Sequence, residues 1–538
     1  MSRIRTSAAL ALALTFALAP TVSEASHSWT IPGTVRVGFV VEPTTLNPLL
    51  GTSIPDADIA CLAYDGLIRV DDHGQPVPDL ALAVPSRANG GISPDGTTLT
   101  YHLAPNARWH DGAPVTSHDV LFTWRALMNP ANNVSNREGF DKISSIDTPD
   151  PHTVRIHYRR PYAPGIFLFE ASIQGAILPS HLLERLPNLN KVPFNTQPVG
   201  SGPYVFKRWD HGSKLVFDAN PAYFRGAPRI GHIVISIVPD TNTQLSQIRT
   251  HEIDLTADLD PSEVATARAT EGTTVGVVSG NGFRHLSFNT RRPGVDDPRV
   301  RRALATAVDT KAIYTKVYFS LGLQAPADQN PATSWADPAA KYYPYDPALA
   351  GRELDAAGWR RGPDGIRIKN GRRLELELVT VAGARANESI EVIVQAAWHA
   401  LGVDVTIKNF PGTTLFAPYE EGGIVNTGKF DVALFSLYRN IDPNDTAIIG
   451  PHNLPPAGRN TSFYVNDEIG RLQEQGVETF DSARRHQIYN AIQRIIVRDV
   501  PIYTLLWVPV IVTYNDDIRG VRPGPGDLTF WNVADWRN

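Results

Sequence analysis

The chain has 538 residues, too many for one ordinary domain and enough for about two to four. With 42% hydrophobic and 20% charged residues the composition is that of a globular protein with ample material for a core. A formal charge of -5 without a long basic run excludes nucleic acid as the main partner. The prolines and glycines are scattered, so they mark loops between elements and not a linker or low-complexity segment.

The first segment in the chain is an export signal. Arg3 and Arg5 precede an apolar stretch from Ala8 to Ala19, and the small-residue site Ser23-Glu24-Ala25 follows. This is the pattern of a secretory signal peptide over residues 1–25, cleaved after Ala25; the apolar stretch is short for a membrane-spanning helix. Cys61 is the only cysteine, so no intramolecular disulfide forms and the core alone holds the mature chain. It lies far beyond the cleavage site and therefore cannot be the lipid-modified first residue of a lipoprotein. A small buried hydrophobe is its expected role.

Strand-like and helix-like segments then alternate. In 34–41, Val35, Val37, Phe39 and Val41 fall on one face of a strand, and 232–238 is a second apolar run. The spacing in 296–319 predicts one helix, with Asp297 as cap, Pro298 in its first turn, and Val300, Leu304, Ala307 and Val308 on one face. A helix beginning at Asp346-Pro347 should stop at Gly358. Strands follow at 374–381, 403–410 and 431–438. The helix 481–500 stacks Ile488, Ile492, Ile495 and Ile496 before Pro501, and 501–514 is long enough for two strands. No internal repeat appears, so the fold class is α/β with several lobes.

Catalytic signatures are missing. There is no Gly-x-Ser-x-Gly elbow and no phosphate-cradling Gly-rich loop, and His251-Glu252 lacks the second histidine of a zinc-protease helix. The 15 histidines never fall at a ligand spacing. His110, beside Asp111 in RWHDG, reads as a turn after a buried Trp109. No catalytic residue, cofactor or metal is implied, and the expectation is a protein that is not an enzyme.

Several stretches, in order, resemble family 5 of the bacterial extracellular solute-binding proteins, the dipeptide- and oligopeptide-binding components of ABC transporters. They are TTLNPLL (44–50), YDGLIRVDDHGQPVPDLALAVP (64–85), SPDGTTLTYHLAPNARWHDGAPVTSHDVLFTW (93–124), VGSGPYVFKRWDHGSKLVFDANPAYF (199–224), LSFNTRRPGVDDPRVRRALATAVDTKAI (286–313) and the helix 481–500 with DVPIYTLL. These motifs also have a plain structural reading. Thr116 and Asp119 form a weakened capping box, and Gly-Ser-Gly-Pro at 200–203 is a tight turn suited to a crossover. The resemblance implies a periplasmic-binding-protein-like (type II) two-lobed clamp with an additional domain, built from discontinuous domains joined by a hinge. It places domain I at 26–70, 200–280 and 506–538, the extra domain II at 71–199, and domain III at 281–505.

The resemblance also points to two ligand-contacting segments. One is Thr52, Ser53 and Ile54, for which a helix-capping turn is the alternative. The other contains Tyr438, Arg439, Asn440 and Asp442. Peptide-binding members place an aspartate about four residues before the proline of this second loop, where it pairs with the peptide's amino terminus; here that position holds Arg439. An arginine in the cleft favours a carboxylate, phosphate or other anion. The alternative is that Arg439 faces solvent or a structural carboxylate such as Asp442.

The expected function is a periplasmic solute-binding subunit of an ABC importer, a monomer that captures a peptide or peptide-like solute and delivers it to an inner-membrane permease complex. Two alternatives stand beside it: the same clamp holding a non-peptide ligand (an opine, oligosaccharide, metal chelate or other anionic solute), and an exported hydrolase.

Overall fold

The computed structural model describes residues 28–524 and 528–538. The expected signal segment lies outside them.

Eleven strands join in one sheet whose middle is a long antiparallel pair, Thr273–Phe288 and Ile502–Asn515. At about 3.3 Å per residue, each is roughly two to three times the length of an ordinary strand. Their length lets each serve two halves of the molecule. Near the 273 end of the pair, Leu255–Thr256 pairs with Thr513 and Tyr514, and Thr34–Phe39, His232–Ile237, Lys214–Ala219 and Tyr204–Asp210 follow outward. Near the 288 end, Val432–Tyr438 pairs with residues 282–288, and Glu375–Val381 and Asp404–Phe410 follow. The region between 501 and 514 is therefore one strand and not two. Pro509 does not break it, because it lies where the ladder is already irregular and a missing N–H donor is tolerated.

That irregularity marks the junction of the halves. Ser279 pairs with Pro509 and Phe283 with Trp507, so Gly280, Asn281 and Gly282 stand opposite Val508 alone. Such a bulge bends a strand and re-aims its side chains. Gly282 suits it because a Cβ there would lie 2.9 Å from the Tyr438 ring.

Each half has the mixed pattern that the sequence alternation predicts. Thr34–Phe39 runs parallel to both of its neighbours, and Glu375–Val381 runs parallel to both of its own. Strands covered on both faces need continuous apolar residues. Val35, Val37, Ile233 and Ile235 are wholly buried in the first half, in a core that continues through Leu99, Val120 and Ile156 into the segment 71–199. A separate core around Leu286, Leu304, Leu378, Trp398 and Leu434 organises the second half. Within 71–199 a small antiparallel sheet, Thr98–His102, Thr153–Tyr158 and Ile143–Asp150, stands beside the helix Ser117–Met128. Asp119 secures that helix, accepting from the Thr116 N–H at 2.8 Å and from Ser180 Oγ at 2.6 Å.

The predicted helix 296–319 is two helices, Pro298–Thr306 and Thr310–Lys316. The break comes at Asp309, whose side chain accepts from the Ala312 N–H at 2.9 Å and so starts a new helix. The apolar face was nevertheless legible, since Val300, Leu304, Ala307 and Val308 are all buried. The helix Pro347–Ala356 is followed by Gly358 at φ +88, and Ser482–Asp499 stops before Pro501.

The turn at 200–203 has a sharper rationale than conformational freedom. A Cβ on Gly200 would lie 1.7 Å from the Ala63 carbonyl oxygen, and one on Gly202 would lie 2.6 Å from the Ala63 carbonyl carbon. The chain returns from the inserted segment directly against the end of the helix Ile54–Ala63, and only glycine allows that approach.

Candidate functional site

In parallel sheets, ligands gather beyond the carboxyl ends of the strands, where loops leave room and backbone groups point outward. A cavity of about 360 Å³ occupies that position between the halves. Phe39 and Val41, at and beyond the end of Thr34–Phe39, and Ala257 and Asp258, just after Leu255–Thr256, form one side. Gly282 and Val508–Val510 of the long pair cross it, and Tyr438 at the end of Val432–Tyr438 stands on the other side. Val41, expected on the buried face of its strand, is instead 54% exposed and lines this cleft, because the strand ends at Phe39.

The helix Ile54–Ala63 supplies the remaining wall. Ser53 caps it, its Oγ accepting from the Asp56 N–H at 3.3 Å, while the Asp56 carboxylate accepts from the N–H groups of Thr44, Thr52 and Ser53. Ser53 and Ile54 also line the cavity, so Ser53 is both cap and wall. Thr52 is exposed and donates its N–H inward to Asp56.

The second segment divides around the end of its strand. Tyr438, the last residue of its strand, faces the cavity, while Arg439 just beyond it donates its N–H to the Asn281 carbonyl and turns its side chain away from the cavity. Its Nη2 donates to Asp328 Oδ2 at 3.0 Å, its Nη1 lies 3.6 Å from Asp445 Oδ2, and its guanidinium sits 5.3 Å from the centre of the Phe283 ring. Asp442 is not its partner: that carboxylate accepts two hydrogen bonds of 2.7 Å from Arg485. Asn440 is exposed and does not line the cavity. Burial pushes the Asp328 carboxyl up to about 7, against the lowering by Arg439, and pushes Asp445 up for the same reason. Two buried carboxylates thus flank one guanidinium.

The residues that sequence reasoning did not single out are Asp58 and Asp258. Asp58 is 3% exposed and accepts from the Thr529 N–H at 2.7 Å; Asp258, open to the cleft, accepts from the Val40 N–H at 2.8 Å. Burial pushes Asp58 up to about 8, with repulsion from Asp258 adding to it, and the enclosing walls raise Asp258 as well. A signal for Asp58 was present. It stands four residues after Ile54, hence on the same face of the helix.

The other tempting groups have structural partners. His110 Nε2 lies 3.0 Å from the Gly202 carbonyl, and its burial lowers it to about 4. Cys61 is buried, with Sγ 3.1 Å from the Ala171 carbonyl, and burial raises its thiol far above the usual range. Among the described residues no group of three or more His, Cys, Asp or Glu is placed to hold a metal ion. A second cavity, of about 240 Å³, carries Arg69, Arg225 and Arg522, and each of these is within 4 Å of one or more aspartates.

Residues 75–451 match the family model described as bacterial extracellular solute-binding proteins, family 5, middle. The chain is 28% identical over 476 residues to Protein XP55 of Streptomyces lividans, covering 88% of this chain and 83% of that protein. It is 26% identical over 512 residues to the oligopeptide-binding protein AppA of Bacillus subtilis, covering 94% and 91%. The structure of AppA in complex with a nonapeptide superposes with a TM-score of 0.79 at 23% identity, over 94% of this chain and 99% of that one. NikZ of Campylobacter jejuni in complex with Ni(L-His) gives 0.79 at 26% identity, over 95% and 100%. The architecture is the two-lobed α/β clamp that the sequence resemblance implied.

Proposed function

The chain belongs to family 5 of the bacterial extracellular solute-binding proteins, and from that premise we propose that its cleft captures a peptide or peptide-like solute between the lobes. It is the solute-binding component of an ABC importer, not an enzyme, and delivers its cargo to a membrane permease complex from the periplasm. The observation that carries the cleft reading is the cavity itself. It lies at the carboxyl ends of parallel strands, beside the bulge at 279–283 where the two halves are joined. Hinge closure there would bury a solute through contacts that the open form lacks.

Peptides are the favoured cargo because AppA, which the chain matches nearly end to end, is an oligopeptide-binding protein. The main reason for an anionic solute was Arg439, and its engagement with Asp328 and Asp445 removes that reason. In this reading domain I comprises 26–70, 200–280 and 506–538, domain II 71–199 and domain III 281–505, with the hinge at the bulge. Ser53, Ile54 and Tyr438 contact the solute directly, while Thr52, Asn440, Arg439 and Asp442 shape the rims and the loop behind it. The mature chain begins after Ala25, which N-terminal sequencing of the exported protein tests.

Ten tryptophans make intrinsic fluorescence a direct probe of binding and closure. Titration with pools of short peptides should give a saturable change. Absence of any response to peptides, accompanied by a response to sugars or metal chelates, would replace the peptide reading with another cargo class.

A further inference from the structure

Behind the cleft wall, three consecutive polar residues of an irregular segment, Asp328, Gln329 and Asn330, are all buried. Such side chains are ordinarily left in water, and inside a protein each needs a partner. Their partners lie on the two pieces of chain that build the wall. Asp328 Oδ2 accepts from Arg439 Nη2 at 3.0 Å, one residue past Tyr438. Asn330 Nδ2 donates to the Gly280 carbonyl at 3.0 Å, while its Oδ1 accepts from the Ala332 N–H at 2.9 Å, which fixes the orientation of the amide. Between them, Gln329 Nε2 stands 3.5 Å from the Pro443 carbonyl.

The Gly280 carbonyl belongs to the bulge, where Gly280, Asn281 and Gly282 face Val508 alone and the ladder is interrupted. Gly280 and Gly282 have no side chains to hold this backbone, and glycine is costly to order. Its carbonyls are held from outside the central pair instead, Gly280 by Asn330 and Asn281 by the Arg439 N–H at 3.1 Å. The next residue, Gly282, pairs with Tyr438, and a Cβ on it would lie 2.9 Å from the tyrosine ring. The backbone of the bulge therefore sets where Tyr438 stands in the cavity. Arg439 is steadied on its other side by Asp445, 3.6 Å away, which accepts from Gln473 Nε2 at 2.8 Å in the helix Asp467–Glu478.

We infer that Asp328 and Asn330 are positioning residues for solute capture, bracing the bulge and the Tyr438 wall into one unit. Neither lines the cavity, so both act through Tyr438 and Gly282, which do. This rests on the cleft being the solute site with its hinge at the bulge, and deepens that reading by naming what fixes the second lobe's wall to the hinge. As the lobes close, the tyrosine arrives on the solute already oriented, and no ordering of the bulge opposes binding.

Three variants test it, with a solute-free and a solute-dependent readout for each. Asp328→Asn removes the charge that holds Arg439, and Asn330→Asp turns the donor into an oxygen facing the Gly280 carbonyl, both without a change of shape. Asn330→Ser removes the same bond without adding repulsion, so the result does not hang on Asn330→Asp folding. In protein refolded free of solute, each should speed hydrogen exchange over 279–283 and 438–445 by about tenfold or more, while the helix Ser482–Asp499 exchanges as in wild type. Fluorescence titration with an equimolar pool of Leu- and Phe-containing tripeptides, well below each urea transition, should give a Kd about tenfold weaker than wild type. A purely structural role would move the urea midpoint and leave that Kd unchanged.

Unchanged exchange in both segments overturns the brace and leaves peptide capture standing. Faster exchange there with an unchanged Kd for the tripeptide pool overturns the positioning role. If wild type binds none of the tripeptides, the peptide cargo is overturned, while faster exchange confined to the two segments still upholds the brace.

Discussion

Replacing Arg439 by Met removes the one cation between two buried carboxylates. Asp328 and Asp445 have wholly buried side chains, and Asp328 Oδ1 has no hydrogen-bond partner among the described residues. Breaking a buried ion pair from one side costs about 3–5 kcal/mol, because the remaining charge stays out of water. The loss should depend on pH, with a definite sign. Asp328 already stands at about 7 with Arg439 beside it, so removing that lowering influence raises it further. A carboxyl raised above its unfolded value contributes stability at low pH that disappears as pH rises through the folded value. The deficit of R439M should therefore approach the full amount at pH 8 and shrink at pH 6. Urea unfolding followed by far-ultraviolet circular dichroism and tryptophan fluorescence measures it. The triple variant R439M/D328N/D445N should recover most of the loss at pH 8. A deficit below about 1 kcal/mol at pH 8, or the same deficit at both pH values, would refute the claim that Arg439 is a structural counter-ion.

Two other buried groups predict opposite pH trends. His285 is wholly buried between Phe283 and Phe435 and lowered to about 3, so stability is lost as pH falls from about 6.5 toward that value, at about 1.4 kcal/mol per unit of pKa difference; H285F should lessen the loss in acid melts. Asp58, raised to about 8, withdraws stability from the unliganded protein as pH rises from about 4 to 8, so D58N should melt higher than wild type at pH 8 and show no such gain near pH 4. Gly200→Ala places a methyl group 1.7 Å from the Ala63 carbonyl oxygen, and since neither backbone is free to move the variant should lose about 3 kcal/mol or more in urea unfolding.

Much of the fold was legible because it depends on local patterns. Alternating Val35, Val37 and Phe39, the Ile488–Ile496 stripe before Pro501, and the Thr116–Asp119 cap each specify their own element. The errors come where tertiary context decides. Nothing local says that 502–515 is one strand, since its length is sustained by pairing along 273–288, some 230 residues away in sequence. The break at Asp309 was hidden because the apolar face continues across it.

For the site, the loop at 438–442 was found by resemblance, but the direction of Arg439 follows from its backbone bond to Asn281 just beyond the strand and from Asp328 behind it. Asp328 and Asp445 approach it from elsewhere in the chain, and no spacing relates Arg439 to Asp328. Asp58 was visible as the i+4 partner of Ile54. Asp258 becomes significant only once the strands Thr34–Phe39 and Leu255–Thr256 lie side by side with their carboxyl ends together.

A solute held in the cavity between the lobes should stay with the protein on purification and be excluded when that cavity is filled. Native mass spectrometry of the protein purified from the periplasm, compared with Ala257→Trp, tests this directly, because Ala257 lines that cavity and an indole there would fill much of it. Wild type should carry a small-molecule adduct that is lost on unfolding, while A257W, with unchanged circular dichroism, should appear at its bare mass. An adduct of equal abundance on both proteins would place the solute outside this cavity.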